Sequence, residues 1–221
     1  MMDAGSMGLW LCGFVSGYCF GCIDMAWILG FLKGVDIKQY GSRNAGASNA
    51  ARVLGIVPGT VTAVWDIGKA VLAYLFLCHA FHAPREICLF AAGMAVIGHC
   101  FPFWLDFDGG KGFAPYLGLM LCIDPGLAAL PLMIGAVLCV AFDRFVLLTF
   151  TCAALMPVGA CLALGDLRLG AFCTLLSLVL FCRHRQNIRN MMSGTEPGIL
   201  AFIQDGESDR TQKGDDACDN K

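Results

Sequence analysis

Three short stretches of this chain concentrate the residue types that handle anions. The first reads Asp36-Ile-Lys-Gln-Tyr-Gly-Ser-Arg-Asn-Ala-Gly-Ala-Ser-Asn-Ala-Ala-Arg52. Gly41 and Gly46 let a backbone approach a ligand closely. Ser42, Arg43, Asn44, Ser48, Asn49 and Arg52 supply hydroxyl, amide and guanidinium donors suited to phosphate. If 48–52 opens the second long helix, its free N–H groups point at the same anion. An ordinary polar loop with a capping serine and membrane-flanking arginines has a similar composition, so this stretch alone does not decide.

The second stretch is Gly98-His99-Cys100-Phe101-Pro102 followed by Asp108-Gly109-Gly110-Lys111-Gly112-Phe113. A glycine-rich turn with one cation, set directly before a helix, can wrap and neutralise a phosphate. A flexible hinge with a snorkelling lysine is the other reading. It is not GxxxxGK[ST], so nucleotide hydrolysis has no support. The third stretch is Arg183-His184-Arg185-Gln186-Asn187-Ile188-Arg189, then Gly194-Thr195-Glu196. On a helix His184, Asn187 and Ile188 share a face. Basic residues commonly follow a last span, but His184 and Asn187 are not expected on that ground. Asp66 and Lys69, i,i+3 inside an apolar run, are either an ion pair for folding or part of a site. No histidine is followed by an acid at the HxxxxD spacing, and there is no GxSxG elbow. No cluster has metal-ligand spacing, and Cys19-x-x-Cys22 reads as two small apolar residues on a helix; neither metal nor cofactor is expected.

The elements that must position these residues are membrane helices. The chain has 221 residues, 57% hydrophobic and only 14% charged, where a soluble domain carries about 25% charged. Apolar runs near 7–32, 54–80, 87–105, 112–123, 126–142, 145–164 and 169–182 predict an all-α, polytopic domain of about seven spans over 1–196. The first run is too long for a signal-peptide core and lacks a basic start. Residues 197–221 read as a disordered cytoplasmic tail. An odd count of 13 cysteines suits reduced thiols.

With seven spans, connections alternate sides. Lys33, Lys38, Arg43, Arg52, Lys111, Arg144, Arg183, Arg185 and Arg189 then share one side, and Arg85 and Arg168 the other. The positive-inside bias places the amino terminus outside and the carboxyl terminus in the cytoplasm. All three polar stretches land on the cytoplasmic side, which suits an enzyme joining a water-soluble substrate to a lipid. A small transporter or channel would spread its polar groups along several spans.

Gly41-Ser42-x-Asn44-x-Gly46-Ala47-Ser48-Asn49-x-x-Arg52 resembles the first motif of the bacterial acyl-phosphate:glycerol-3-phosphate acyltransferases, the PlsY family. Gly98-His99-x-Phe101-Pro102 with Gly109-Gly110-Lys111-Gly112 resembles the second, and Arg183-His184-x-x-Asn187-Ile188 with Gly194-Thr195-Glu196 the third. Asp66-x-x-Lys69 stands where the family has DxxKG. The resemblance implies transfer of a fatty acyl group from acyl phosphate to the 1-hydroxyl of sn-glycerol 3-phosphate in a bacterial inner membrane. It implies catalytic roles for Ser42, Arg52, Lys111, His184, Asn187 and Glu196. Substrate contacts are implied for Gly41, Asn44, Asn49, Gly109, Gly110 and Gly112. Expected partners are the two substrates, membrane lipid and an enzyme that produces acyl phosphate, with no nucleic acid.

The chain departs from the family pattern at Arg43 for a small residue, Ala70 for glycine, Pro115 for threonine and Cys19 for proline. Asp143-Arg-Phe-Val-Leu-Leu148 resembles the family's TRYVSL without its serine. A divergent member with another acceptor, or with no activity, is therefore a further reading.

Overall fold

The structure, a computed structural model, describes residues 4–198. Apart from Pro197 and Gly198, the expected disordered tail lies outside the described residues. The described chain is helical without strands: α1 Ala4–Cys22, α2 Met25–Leu32, α3 Ala47–Leu54, α4 Ile56–Phe81, α5 Arg85–Cys100, a 3-10 turn Phe103–Leu105, α6 Phe113–Ile123, α7 Pro125–Ala141, α8 Val146–Leu162, α9 Leu167–Arg183 and α10 Arg185–Met192. Gly5–Leu32, Ile56–Phe81 and Arg85–Leu105 are long and apolar enough to cross a bilayer. So is the pair α9 and α10, bent by 61°, while α6, α7 and α8 are shorter apolar helices. Apolar helices thus lie at each expected run. Large apolar side chains such as Leu11, Val64, Val140 and Leu162 face outward, as lipid contact requires.

Local signals set the helix ends. Asp24, Asp124 and Asp166 each accept the backbone N–H three residues on, at 3.0, 2.7 and 2.9 Å, which caps α2, α7 and α9. Pro125 occupies the first turn of α7, where its missing N–H is no loss. The first span is not the continuous helix expected from residues 7–32: Asp24 breaks it. The break frees carbonyls that lipid cannot satisfy. Trp104 Nε1 donates to Cys22 O at 2.8 Å, and Trp65 Nε1 and Lys69 Nζ donate to Ile23 O at 3.1 and 3.3 Å.

Helix α5 is the centre, packed against α1, α4, α6 and α9. Its contact with α1 is made nearly backbone to backbone. A side-chain carbon at Gly17 or Gly21 would collide with the carbonyls of Ala91 or Ala95, and one at Gly98 with that of Tyr18. Small residues at four-residue spacing permit this approach in membrane helices, where dispersion contacts replace the hydrophobic effect as the driving force. Tyr18 Oη ties α1 to the end of α5 by donating to Phe101 O at 2.7 Å.

Gly21→Leu should lower the thermal midpoint of the solubilised protein, by an overpacking cost of roughly 1–3 kcal/mol or more. Gly8→Ala, with open space around it, should leave the midpoint unchanged. Equal midpoints for the two variants would refute the seam as a determinant of stability.

Candidate active site

The first polar stretch folds as a compact loop ahead of α3. Its organiser is Asn49, which is buried. Asn49 Oδ1 accepts the Ser42 N–H at 2.8 Å, and Nδ2 donates to Ile37 O and Tyr40 O at 3.0 and 3.1 Å. Both amide hydrogens are therefore spent on the loop itself. Gly41 has φ 59°, and a side chain there would strike Asn49 Oδ1 and crowd the Arg52 stem, so glycine is required. This arrangement leaves the Ser42 side chain exposed beside half-buried Asn44. Arg43 takes the left-handed conformation too, at φ 55°, a costly choice for a long side chain. Helix α3 is separate from α4, divided from it at Gly55 with φ 106°. Arg52 accordingly sits on a short helix of its own rather than on the start of the second span.

The glycine-rich turn folds back on the end of α5. Gly109 N–H donates to Cys100 O at 3.2 Å and Gly110 N–H to His99 O at 3.0 Å. These two amides complete α5, and the start of α6, after Gly112 with φ 90°, has no side-chain cap. Pro115 lies in that first turn, where helices tolerate it.

The third stretch grips this turn. Arg183 donates from Nη2 to Gly109 O at 2.6 Å and to Asp108 Oδ1 at 3.0 Å, and from Nε to Gly110 O at 3.2 Å. Lys38, from the first stretch, pairs with Asp108 Oδ2 at 3.0 Å. Burial would raise the Asp108 carboxyl, but its hydrogen bonds to Lys38 and Arg183 hold it below the usual carboxylate range. The Lys38–Asp108–Arg183 bridge was not anticipated from sequence. Its signal was an acid set directly before the glycines.

Beyond the turn runs a polar chain: Lys111 Nζ donates to Asn187 Oδ1 at 2.6 Å, and Asn187 Nδ2 donates to Glu196 Oε1 at 2.7 Å. Glu196 Oε2 is buried with no hydrogen bond among the described residues. Burial pushes the Lys111 ammonium below its usual range, and Glu196 partly restores it. His184 stands between α9 and α10 where the chain bends, its Nδ1–H donating back to Leu180 O at 2.8 Å. That leaves Nε2 as a lone pair. Burial pushes the His184 imidazole down to about 4, against the opposing hydrogen bond to Leu180. The first and second stretches meet where Gly110 lies against Ala45 O. The structure therefore joins all three stretches, directly or through the turn.

Cations, an amide and two helix N-termini are thus gathered at one end of an apolar bundle. A model of the glycerol-3-phosphate acyltransferase family matches residues 11–194. The chain belongs to this family. A glycerol-3-phosphate acyltransferase of Bacillus velezensis is 36% identical over 189 residues, covering 85% of this chain and 96% of that protein. One from Synechococcus sp. (strain CC9902) is 35% identical, covering 83% and 92%. The crystal structure of PlsY, an integral membrane glycerol 3-phosphate acyltransferase, in its glycerol 3-phosphate form superimposes with a TM-score of 0.79 at 25% identity, covering 86% of this chain and 95% of that one. Its lysophosphatidic acid form gives 0.77 at 26% identity, covering 88% and 98%. Against the family's pattern, Leu147 brings no hydroxyl to its half-buried position.

The low value at His184 sets a pH window. Below about 6.5 the unfolded chain binds a proton that the folded one refuses until about 4, so this contribution to stability is complete above 6.5 and is lost as pH falls through 4. The thermal midpoint should fall between pH 7 and 5, and fall less in His184→Gln. An equal fall in the variant would assign the drop to other groups.

Proposed function

We propose that this protein transfers a fatty acyl group from acyl phosphate to the 1-hydroxyl of sn-glycerol 3-phosphate, giving lysophosphatidate and inorganic phosphate. The observation that carries the reading is the hydrogen-bonded chain Lys111–Asn187–Glu196. It stands beside a glycine turn clamped by Arg183 and near two helix starts, α3 and α6, that have no side-chain cap. This arrangement supplies positive potential for two phosphates at one apolar boundary.

Acyl phosphate is already an activated donor, so no covalent enzyme intermediate is needed. The acceptor hydroxyl attacks the acyl carbonyl carbon, the carbon–oxygen bond to phosphate breaks, and phosphate leaves with the electron pair. Lys111 and Arg52 offset repulsion between the two phosphates, and Ser42 and Asn44 orient one of them. Glu196 Oε2 is an acceptor suited to a glycerol hydroxyl. The departing phosphate takes the proton, because a histidine held near 4 is a weak base at neutral pH. The acyl tail lies between helices, open to lipid.

In this reading the chain crosses a bacterial inner membrane seven times, amino terminus outside, with the site on the cytoplasmic face and residues 1–196 as the acyltransferase domain. An enzyme that makes acyl phosphate is the partner such chemistry calls for.

Purified protein should form lysophosphatidate from acyl phosphate and not from acyl-CoA; the reverse preference would exclude this mechanism. Arg52→Ala should lower turnover about tenfold or more, because a charge-assisted hydrogen bond contributes roughly 1.5–3 kcal/mol. Arg52→Lys should recover little, since a point charge cannot reproduce the guanidinium fork. Near-normal rates in correctly inserted Arg52→Ala would remove that residue from the phosphate site. Single cysteines at 41, 108 and 194, in a background cleared of other thiols, should react only with cytoplasmic reagent. External labelling at any of them would invert or break the topology.

A further inference from the structure

Asp66, Lys69 and His99 are buried together between α4 and α5, with Lys69 0% and Asp66 2% exposed. The Lys69 ammonium forms an ion pair with Asp66 Oδ1 at 2.9 Å and hydrogen-bonds His99 Nδ1 at 2.7 Å and Ile23 O at 3.3 Å, while His99 Nδ1 lies 3.5 Å from the same Asp66 oxygen. An ammonium only donates, so Nδ1 of His99 takes the acceptor role in this contact. The imidazole proton then sits on Nε2. That edge of the ring faces the phosphate-site turn: a side-chain carbon at Gly110 would land on His99 Nε2 and lie 2.7 Å from Ala45 O. The His99 carbonyl accepts the Gly110 N–H at 3.0 Å. One histidine thus touches the turn through both backbone and ring, where the turn meets the loop of the first polar stretch.

We propose that Asp66, Lys69 and His99 form a buried positioning device for the phosphate site. Lys69 fixes the tautomer and orientation of His99, and His99 holds the 109–112 turn in register with the loop at Ala45. None of the three touches substrate; they act through the turn that carries Lys111. The inference rests on the acyltransferase reading of that site.

The test is steady-state kinetics of the full-length purified chain with acyl phosphate and glycerol 3-phosphate. A glutamine amide reaches the Nε2 position of histidine, whereas an asparagine amide reaches only Nδ1. His99→Gln should keep KM for glycerol 3-phosphate within about threefold, while His99→Asn and Lys69→Met should raise it about tenfold. A purely structural defect would shrink the active fraction and lower the maximal rate at unchanged KM. Gly110→Ala perturbs the same contact from the other side and should also raise KM, which keeps the test open if a buried variant fails to fold. Unchanged KM in Gly110→Ala, or in folded His99→Asn, overturns the proposal. Wild-type protein turning over neither substrate would overturn the functional reading instead.

Discussion

Backbone meets backbone where α1 crosses α5, because Gly17, Gly21 and Gly98 carry no side chain to hold the helices apart. That contact fixes the height and rotation of α5. The end of α5 is the platform from which His99, the glycine-rich turn and α6 all start. Tyr18 and Trp104 bind carbonyls across the same junction, at 2.7 and 2.8 Å. In lipid such bonds have no competing water, so the seam and its polar ties leave few alternative arrangements for the site above them.

Charge is distributed around the site in two layers. Asp108, with its side chain 61% exposed, is shared by Lys38 and Arg183, and solvent screens that bridge. Its value is geometric, since it joins segments distant in sequence and aims Arg183 at the carbonyls of the turn. Deeper, Asp66 and Lys69 lie beyond water, where each partner would be costly alone.

The apolar helices were legible because apolar runs of such length have few alternatives, and the three polar stretches stood out against them. Sequence could not show how the stretches spend their hydrogen bonds. Asn49, Gly109 and Gly110 are the kinds of residue that contact phosphate, yet their N–H groups are committed to the loop and to the end of α5. The break at Asp24 was visible as one acid in an apolar run, three residues before an N–H it could cap. Run length alone concealed it. The glycine seam had a four-residue spacing on the page, but composition gives small residues no voice until the opposing backbone is placed. The short helices α3 and α10 were obscured by their polar content.

The order of Lys111, Asn187 and Glu196 has a further consequence. A glutamate bonded directly to the lysine would compete with any incoming anion for its charge. The intervening amide, donor on one side and acceptor on the other, lets the carboxylate orient the lysine without capping it. A long, many-jointed arm is thereby set in one rotamer as the protein folds. Ordering such a side chain at binding costs about 0.5–1.5 kcal/mol, and here that entropy is surrendered before a ligand arrives.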